Sequence, residues 1–332
     1  MHPDPPYRPP HPLLRCLATG AALALPLTAC TPDEGSVLRV AHVYEDQHPV
    51  ETCGLAAMRD ALAGSGITIE TYPAGQLGSE AESLEQVADG SLDAAIAGPS
   101  FLGTWHRPAE ILDGAYLLDG PEDFAGALED PAVVEAFEGL EEQTPLVPVS
   151  HWYYGTRHLT SDEPINTPED LAGIKVRTPD AQLYLDNVAA MGGTATPMAL
   201  GELYMALQQG TLDAQENPVP TIESANLFEV QEYINLTGHI VQAVHLVTAN
   251  TLADRLGPEQ SERFAEAADE GAEQARACIE AQETETLERW RADGSITVND
   301  EVDREAFAER VHEHLPPQVS WGELYLSALE RR

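Results

Sequence analysis

The chain has 332 residues, 43% of them hydrophobic and 22% charged, which is enough for two globular domains with sizeable cores. Its formal net charge of −39 excludes nucleic acid as an expected partner, because a phosphate backbone is bound by basic surfaces. The same charge repels small anions at long range, so an anion site would need local positive charge inside a cleft of low dielectric constant. One hypothesis for the acidity is adaptation to a salty or alkaline exterior.

The first 30 residues have the pattern of a targeting segment. Arg8 and Arg15 supply positive charge, and the apolar run CLATGAALALPL is too short to span a membrane as a helix. The run ends in LTAC at Cys30, which resembles a lipobox, where cleavage leaves the cysteine as the lipidated amino terminus. We therefore predict a lipoprotein signal peptide over 1–30, a solvated tether over 31–36 and an extracytoplasmic protein anchored by lipid. A plain secretory signal cut nearby is the alternative.

The four cysteines are too sparse for a disulfide framework, and no CxxC pair indicates zinc or redox chemistry. Cys16 leaves with the signal peptide and Cys30 carries the lipid, so Cys53 and Cys278 remain. Outside the cytoplasm such a pair oxidises if the geometry allows it. A disulfide between them and two separate buried thiols are both compatible with the sequence.

The first half of the mature chain alternates predicted strands and helices. Residues 38–43 and 67–72 alternate polar and apolar side chains, and residues 91–98 form an apolar run, so each predicts a strand. Helices are predicted after the first two strands, and Ser79 is a suitable N-cap for the second helix. This β-α-β-α-β order predicts a mostly parallel sheet with helices on both faces.

Ligands of such sheets bind beyond the carboxyl ends of the strands. Here those ends open into three loops, at 44–50, 73–80 and 97–105. The loops carry five side chains that could contact a ligand: Tyr44, His48, Glu80, Ser100 and Trp105. Two of these have an equally simple structural role, because His48 could hold its loop through a backbone hydrogen bond and Trp105 could be a half-buried packing residue.

The stretch 151–220 carries the residues that best suit an organic anion. Arg177 follows a short apolar strand and precedes Thr178-Pro179, so its guanidinium lies at a strand end. There it can take a carboxylate through two parallel hydrogen bonds. Arg157 lies in the same stretch, and Asn217 can donate to a carboxylate or hydroxyl without adding charge. The alternative is that both arginines are ordinary ion-pair partners in an acidic protein.

Five blocks of this sequence occur in order: PEDLAGIKVR, TPM, ELYMALQQG, LDAQENP and LFEVQEYINLTGH. Together they resemble the DctP-like solute-binding proteins of tripartite ATP-independent periplasmic (TRAP) transporters, over nearly the whole mature chain. The resemblance implies an α/β, two-domain periplasmic-binding-protein-like fold of type II character. Its mixed, mostly parallel sheets have helices on both faces, and hinge strands and a long hinge-side helix connect the domains. We expect domain I at 37–153 plus 243–282 and domain II at 154–242 plus 283–332.

The resemblance also implies roles for single residues. Arg177 falls on the family arginine that grips the ligand carboxylate, and Arg157 falls on the second ligand arginine. Asn217 falls on an amide that also reaches the bound acid. Leu200 stands where the family often has an aromatic residue over the ligand, so it keeps an apolar wall but removes a ring face.

The implied function is capture of a small carboxylate in an interdomain cleft and delivery to small and large TRAP membrane subunits. C4-dicarboxylates, uronates or other sugar acids and keto acids are the candidate ligands. The alternative is that the chain is a ligand-binding protein of the same fold that serves a sensor kinase instead of a transporter. No GxSxG, HExxH, P-loop or nucleotide fingerprint indicates an enzyme or a cofactor. We expect a monomer.

The remaining chain predicts scaffold. A long acidic helix is expected from Pro258 to about residue 292, because its apolar positions recur at helical spacing. His312 and His314 superficially suggest a metal site, but residues so close on a helix face different ways, so we expect none. Trp321 and Tyr325 are expected to anchor the terminal helix.

Overall fold

The computed structural model describes residues 35–331; the predicted signal peptide, Cys30 and the tether up to residue 34 lie outside them. The described residues contain nine strands: β1 (Ser36–Ala41), β2 (Ile67–Tyr72), β3 (Ala94–Ala97), β4 (Leu146–Ser161), β5 (Lys175–Thr178), β6 (Thr194–Pro197), β7 (Ala214–Pro218), β8 (Tyr233–Ala249) and β9 (Thr297–Asn299).

Twelve α-helices lie in the same part of the chain: α1 (Ala56–Ala61), α2 (Glu80–Asp89), α3 (Pro99–Leu102), α4 (Phe124–Leu128), α5 (Pro131–Gln143), α6 (Gln182–Met191), α7 (Leu200–Gln208), α8 (Val219–Ser224), α9 (Thr251–Leu256), α10 (Pro258–Asp293), α11 (Arg304–His314) and α12 (Gly322–Glu330). A π-helix covers Val50–Leu55, and 3-10 helices cover Arg107–Asp113, Pro121–Asp123, Pro168–Leu171, Leu227–Glu229 and Pro316–Gln318.

Local sequence signals place these elements well. Strand β2 has the predicted bounds, and α10 begins at the predicted proline. The N-cap of α2 is Ser79, whose hydroxyl accepts from the backbone N–H of Glu82 while the Glu82 carboxylate accepts from the backbone N–H of Ser79. This reciprocal capping box satisfies two backbone donors that a helix start leaves unpaired. It fixes where α2 begins, and therefore where Glu80 lies.

One continuous mixed sheet runs through the described residues, in the order β2-β1-β3-β8-β4-β7-β5-β6, with β9 on β8. Strand β1 pairs in parallel with β2 and β3, as predicted, and β5 pairs in parallel with β6 and β7. The long strands β4 and β8 pair antiparallel between these two parallel groups. The two halves form one sheet because β4 and β8 each continue through both, in the manner of the expected hinge strands. The described residues form one compact unit, and the domain boundaries stay a prediction.

A bulge interrupts β4 where it crosses the middle of the sheet. The register with β8 shifts between Tyr153 and Gly155, and Gly155 has φ of +122°. A Cβ at Gly155 would lie 2.8 Å from Cβ of Pro218 and 2.9 Å from Oε1 of Glu283, so only glycine fits. The backbone N–H of Thr156 donates to Glu283 at 2.7 Å. The bulge is therefore held by a side chain of α10.

A disulfide joins Cys53 in the π-helix to Cys278 in α10. Beside it, the fully buried Trp152 packs so closely on Gly54 and Gly271 that a Cβ at either would come within 3.0 Å of the indole ring. The two helices can approach across Trp152 only because these positions lack side chains. Of the two possibilities for Cys53 and Cys278, the structure therefore has the disulfide, which links the two helices across this contact.

The terminal helix is anchored as predicted. Trp321 Nε1 donates to Oε1 of Glu110 at 2.9 Å, and the Tyr325 hydroxyl donates to the Ala115 carbonyl at 2.6 Å. Within residues 35–331 no helix is long and apolar enough to cross a membrane. The same residues hold no cluster of histidine, cysteine and carboxylate side chains that could bind a metal ion.

Candidate functional site

A cavity of about 160 Å³ opens between the β1–β3 half and the β5–β7 half of the sheet. Tyr44, which follows β1, and Glu80, the first residue of α2, line it from the first half. Arg177, Asn217 and Leu200 line it from the second half. The cavity is small beside the roughly 300–1,000 Å³ typical of sites for drug-sized ligands. Its place beyond the strand ends is where the sheet topology predicted a ligand site.

Arg177 is the cation that the cavity leaves unpaired. Strand β5 places it in the wall, where it is buried, and its Nε and Nη2 donate to the Met198 carbonyl at 2.9 and 2.6 Å. No carboxylate in residues 35–331 forms an ion pair with it, and Nη1 has no hydrogen-bond partner there. Burial lowers the pKa of Arg177 to about 10, and the charge of Glu216 opposes that shift. A buried, fixed and uncompensated guanidinium is a ready site for an anion.

Arg157 reaches the same cavity but is already neutralised. Its Nε and Nη2 donate to the two carboxylate oxygens of Glu216, and Nη1 donates to Gln242 Oε1 at 2.6 Å. Burial alone would lower the pKa of Arg157, but the Glu216 carboxylate raises it above its ordinary value. Burial alone would raise the pKa of Glu216, and Arg157 holds it below its ordinary value. The ion-pair alternative therefore describes Arg157, and its contact with a ligand stays a prediction.

Asn217 and Leu200 also line the cavity. The Asn217 amide donates to Gln215 Oε1 at 2.6 Å, and its oxygen accepts from Arg157 Nη2 at 3.2 Å. These two bonds fix the amide in orientation before any ligand arrives. Leu200 is the first residue of α7 and supplies an apolar surface, as the sequence predicted.

Glu80 brings a carboxyl group into the cavity. Its Oε1 accepts from the backbone N–H of Gly98 at 3.1 Å. Burial raises the pKa of Glu80 to about 7; the Gly98 hydrogen bond and the charges of Arg157 and Arg177 oppose the rise, and the nearby Asp113 adds to it. Arg177 and Glu80 therefore present a cation and a titratable carboxyl group in one cavity.

Three of the predicted ligand contacts lie outside the cavity lining: His48, Ser100 and Trp105. The Ser100 hydroxyl is buried and donates to Oδ2 of Asp113 at 2.6 Å. His48 is fully buried, accepts from the backbone N–H of Val50 at 3.2 Å through Nδ1, and packs on the rings of Tyr44 and Tyr154. Burial lowers the pKa of His48 to about 3. Trp105 is half-buried against the hydrophobic core. His48 and Trp105 therefore have the structural roles that the sequence analysis gave as alternatives to ligand contact.

Several lining residues were not predicted as site residues, among them Phe101, Tyr154, Tyr184 and Gln242. A glutamine within the apolar strand segment IVQAV was the signal that could have identified Gln242, since a buried polar side chain needs a partner. The tyrosines gave no such signal, because a tyrosine in a helix or strand is compatible with simple packing.

The chain matches known proteins over most of its length. Residues 41–326 match the family described as bacterial extracellular solute-binding protein, family 7 (DctP). The solute-binding protein RD1_1052 of Roseobacter denitrificans is 31% identical over 257 residues, which are 76% of this chain and 75% of that protein. The crystal structure of RD1_1052, described as a TRAP periplasmic solute-binding protein with bound L-galactonate, superposes with a TM-score of 0.83 and 27% identity, covering 89% of this chain and 99% of that one.

Two further relatives carry the names of ligands. The ectoine-binding periplasmic protein TeaA of Halomonas elongata is 30% identical over 313 residues, which are 92% of this chain and 89% of that protein. The sialic acid-binding periplasmic protein SiaP of Vibrio cholerae is 29% identical over 240 residues, which are 72% of this chain and 75% of that protein.

These similarities confirm the two-lobed α/β periplasmic-binding-protein fold that the sequence motifs implied. The family consists of extracytoplasmic solute-binding proteins rather than enzymes, which confirms that expectation as well. The chain therefore belongs to the DctP family of extracytoplasmic solute-binding proteins of TRAP transporters.

Proposed function

We propose that this protein captures a small organic acid in its cavity, with the acid's carboxylate bound by Arg177, and delivers it to the two membrane subunits of a TRAP transporter. The observation that carries the proposal is the buried Arg177 guanidinium, which no carboxylate of residues 35–331 neutralises. An uncompensated buried charge is costly unless a partner completes it. A ligand carboxylate is such a partner.

The surroundings of Arg177 favour a bound anion over a solvated one. Because Nε and Nη2 are held by the Met198 carbonyl, the guanidinium plane is fixed before binding, and little side-chain entropy is lost on association. The neighbouring Arg157–Glu216 pair carries no net charge, so it neither competes for the ligand's carboxylate nor repels it strongly. Arg177 thus supplies local positive charge that the net charge of −39 would otherwise deny to an anion.

The ligands named for relatives agree with an acid. L-galactonate in the Roseobacter denitrificans structure and sialic acid for the Vibrio cholerae protein each carry one carboxylate. For this chain, the sequence resemblance makes C4-dicarboxylates, uronates and other sugar acids, and keto acids the candidate acids. Anchoring through a lipid on Cys30 and operation as a monomer belong to the same proposal.

The proposal is tested by substituting Arg177. Arg177→Ala should weaken the best-binding acid by on the order of 30-fold or more, because losing one desolvated charge pair costs roughly 2–5 kcal/mol. The matched control is Arg263→Ala, an exposed arginine of α10 that pairs with Glu266. Isothermal titration calorimetry on acids selected by a thermal-shift screen gives the readout. Near-normal affinity in Arg177→Ala would remove the proposal.

A further inference from the structure

Most polar side chains that line the cavity are already bonded to one another. The Tyr154 hydroxyl pairs with Thr221, and the Tyr184 hydroxyl accepts from Gln242 Nε2, whose Oε1 accepts from Arg157. The Asn217 amide is similarly engaged on both its oxygen and its nitrogen. A ligand that needed these groups would have to break bonds that are present before it binds, and each such exchange gives little net stabilisation.

Four lining groups keep free capacity within residues 35–331. They are Nη1 of Arg177, the hydroxyl of Tyr44, Oε2 of Glu80 and the solvent-exposed carboxylate of Asp180, none of which has a hydrogen-bond partner in that part of the chain. Arg177 comes from β5 and Glu80 from the start of α2, so they belong to opposite halves of the sheet. The two charges do not form an ion pair with each other. Each is therefore left to a ligand.

Apart from Ser79, whose hydroxyl is bonded to Glu82, the rest of the lining is apolar or aromatic. Phe101, Pro179, Met198 and Leu200 contribute carbon surface, and the rings of Tyr44 and Tyr154 lie 4.7 Å apart between their centroids. A polyhydroxylated acid would bury several hydroxyl groups here with few free partners, and each buried hydroxyl without a partner weakens binding. A second carboxylate would meet the like charge of Glu80.

We propose that the ligand is a compact zwitterion, with its carboxylate on Arg177, a cationic nitrogen facing Glu80 and a mostly apolar skeleton between the two charges. Tyrosine rings add to this arrangement, because their faces attract cations. The inference rests on the function proposed above and narrows its ligand class: sugar acids and C4-dicarboxylates become poor ligands, and a zwitterionic compatible solute or amino acid becomes a good one.

The experiment compares isosteric ligand pairs that differ only in the cation. Glycine betaine and 3,3-dimethylbutanoate form one pair, and 4-aminobutyrate and pentanoate form another, with a different spacing between the charges. Succinate and L-galactonate represent the competing classes. Calorimetry on the purified protein should show at least tenfold tighter binding of the zwitterion in one or both pairs, and weaker binding of succinate and galactonate than of that zwitterion.

The variant Glu80→Gln then tests whether the Glu80 carboxylate causes the preference for the zwitterion. Glutamine keeps the acceptor for the Gly98 N–H and removes the charge, so the preference for the zwitterion should fall at least tenfold while binding of the isostere that lacks the cation stays within threefold. Glu85→Gln, the same change at an exposed position of α2, is the control and should alter neither. Melting temperatures of both variants check that they fold.

The outcomes separate this inference from the proposed function. If Arg177→Ala abolishes binding of an acid but succinate or galactonate binds best, or Glu80→Gln leaves the preference intact, the zwitterion is refuted and acid capture stands. If no carboxylate of the panel depends on Arg177, both fail.

Discussion

The buried pair between Arg157 and Glu216 makes a quantitative prediction about stability. In Glu216→Gln, Arg157 loses a carboxylate that it contacts through two nitrogens. Two cations, Arg157 and Arg177, then face one cavity in which the titratable Glu80 carboxyl group pairs with neither. Breaking one side of a buried pair typically costs 3–5 kcal/mol. We expect the lower end, about 3 kcal/mol, because glutamine keeps one acceptor oxygen and Arg157 keeps its bonds to the Glu216 carbonyl and to Gln242.

The assay is thermal unfolding with and without an acid that binds. For a protein of this size, 1 kcal/mol corresponds to roughly 1.6 °C in Tm, so Glu216→Gln should melt roughly 5 °C lower. The bound acid should raise Tm more in this variant than in wild type, because the cavity has gained a positive charge. Glu280→Gln, which removes the partner of Arg276 in an exposed pair, should shift Tm by no more than about 2 °C. Equal shifts in both variants would refute the reasoning.

Three further predictions concern the whole molecule. Replacing Cys53 and Cys278 by alanine opens a link between residues 225 apart and should cost about 4–5 kcal/mol in chemical denaturation, and an unchanged midpoint would contradict this. Burial raises the pKa of Glu283 to about 7, so the wild-type protein loses stability as the pH rises from about 4.5 through 7. The difference in Tm between Glu283→Gln and wild type should therefore be more favourable to the variant at pH 8 than at pH 5. Equal differences at the two pH values would count against this prediction. With a net charge of −39, Tm should rise from low to molar salt, and indifference to salt would end the hypothesis of adaptation.

Elements with local signals could be predicted from the sequence. The alternation in ITIETY gave β2, the Ser79–Glu82 box gave the start of α2, and Pro258 gave the start of α10. Arg177 could be placed as well, because the short strand β5 and the proline after it put its guanidinium at a strand end. Each of these depends on contacts between residues close in the chain.

Contacts that depend on strand register could not be predicted. Glu216 neutralises Arg157 because β7 pairs antiparallel with β4, and nothing local in QENP indicates that pairing. Glu80 faces the cavity and His48 is buried because of how β1, α2 and β4 pack together, which local sequence does not indicate either. The sequence therefore indicated an arginine site but not which of its two arginines is free.

The most direct test of the central claim is a crystal structure of the protein with an acid bound at saturating concentration. We predict that the acid's carboxylate oxygens lie within hydrogen-bond distance of Arg177, with Nη1 among the donors, while Arg157 stays paired with Glu216. A structure in which Arg177 points to solvent, and the cavity holds a molecule without an anionic group, would contradict it.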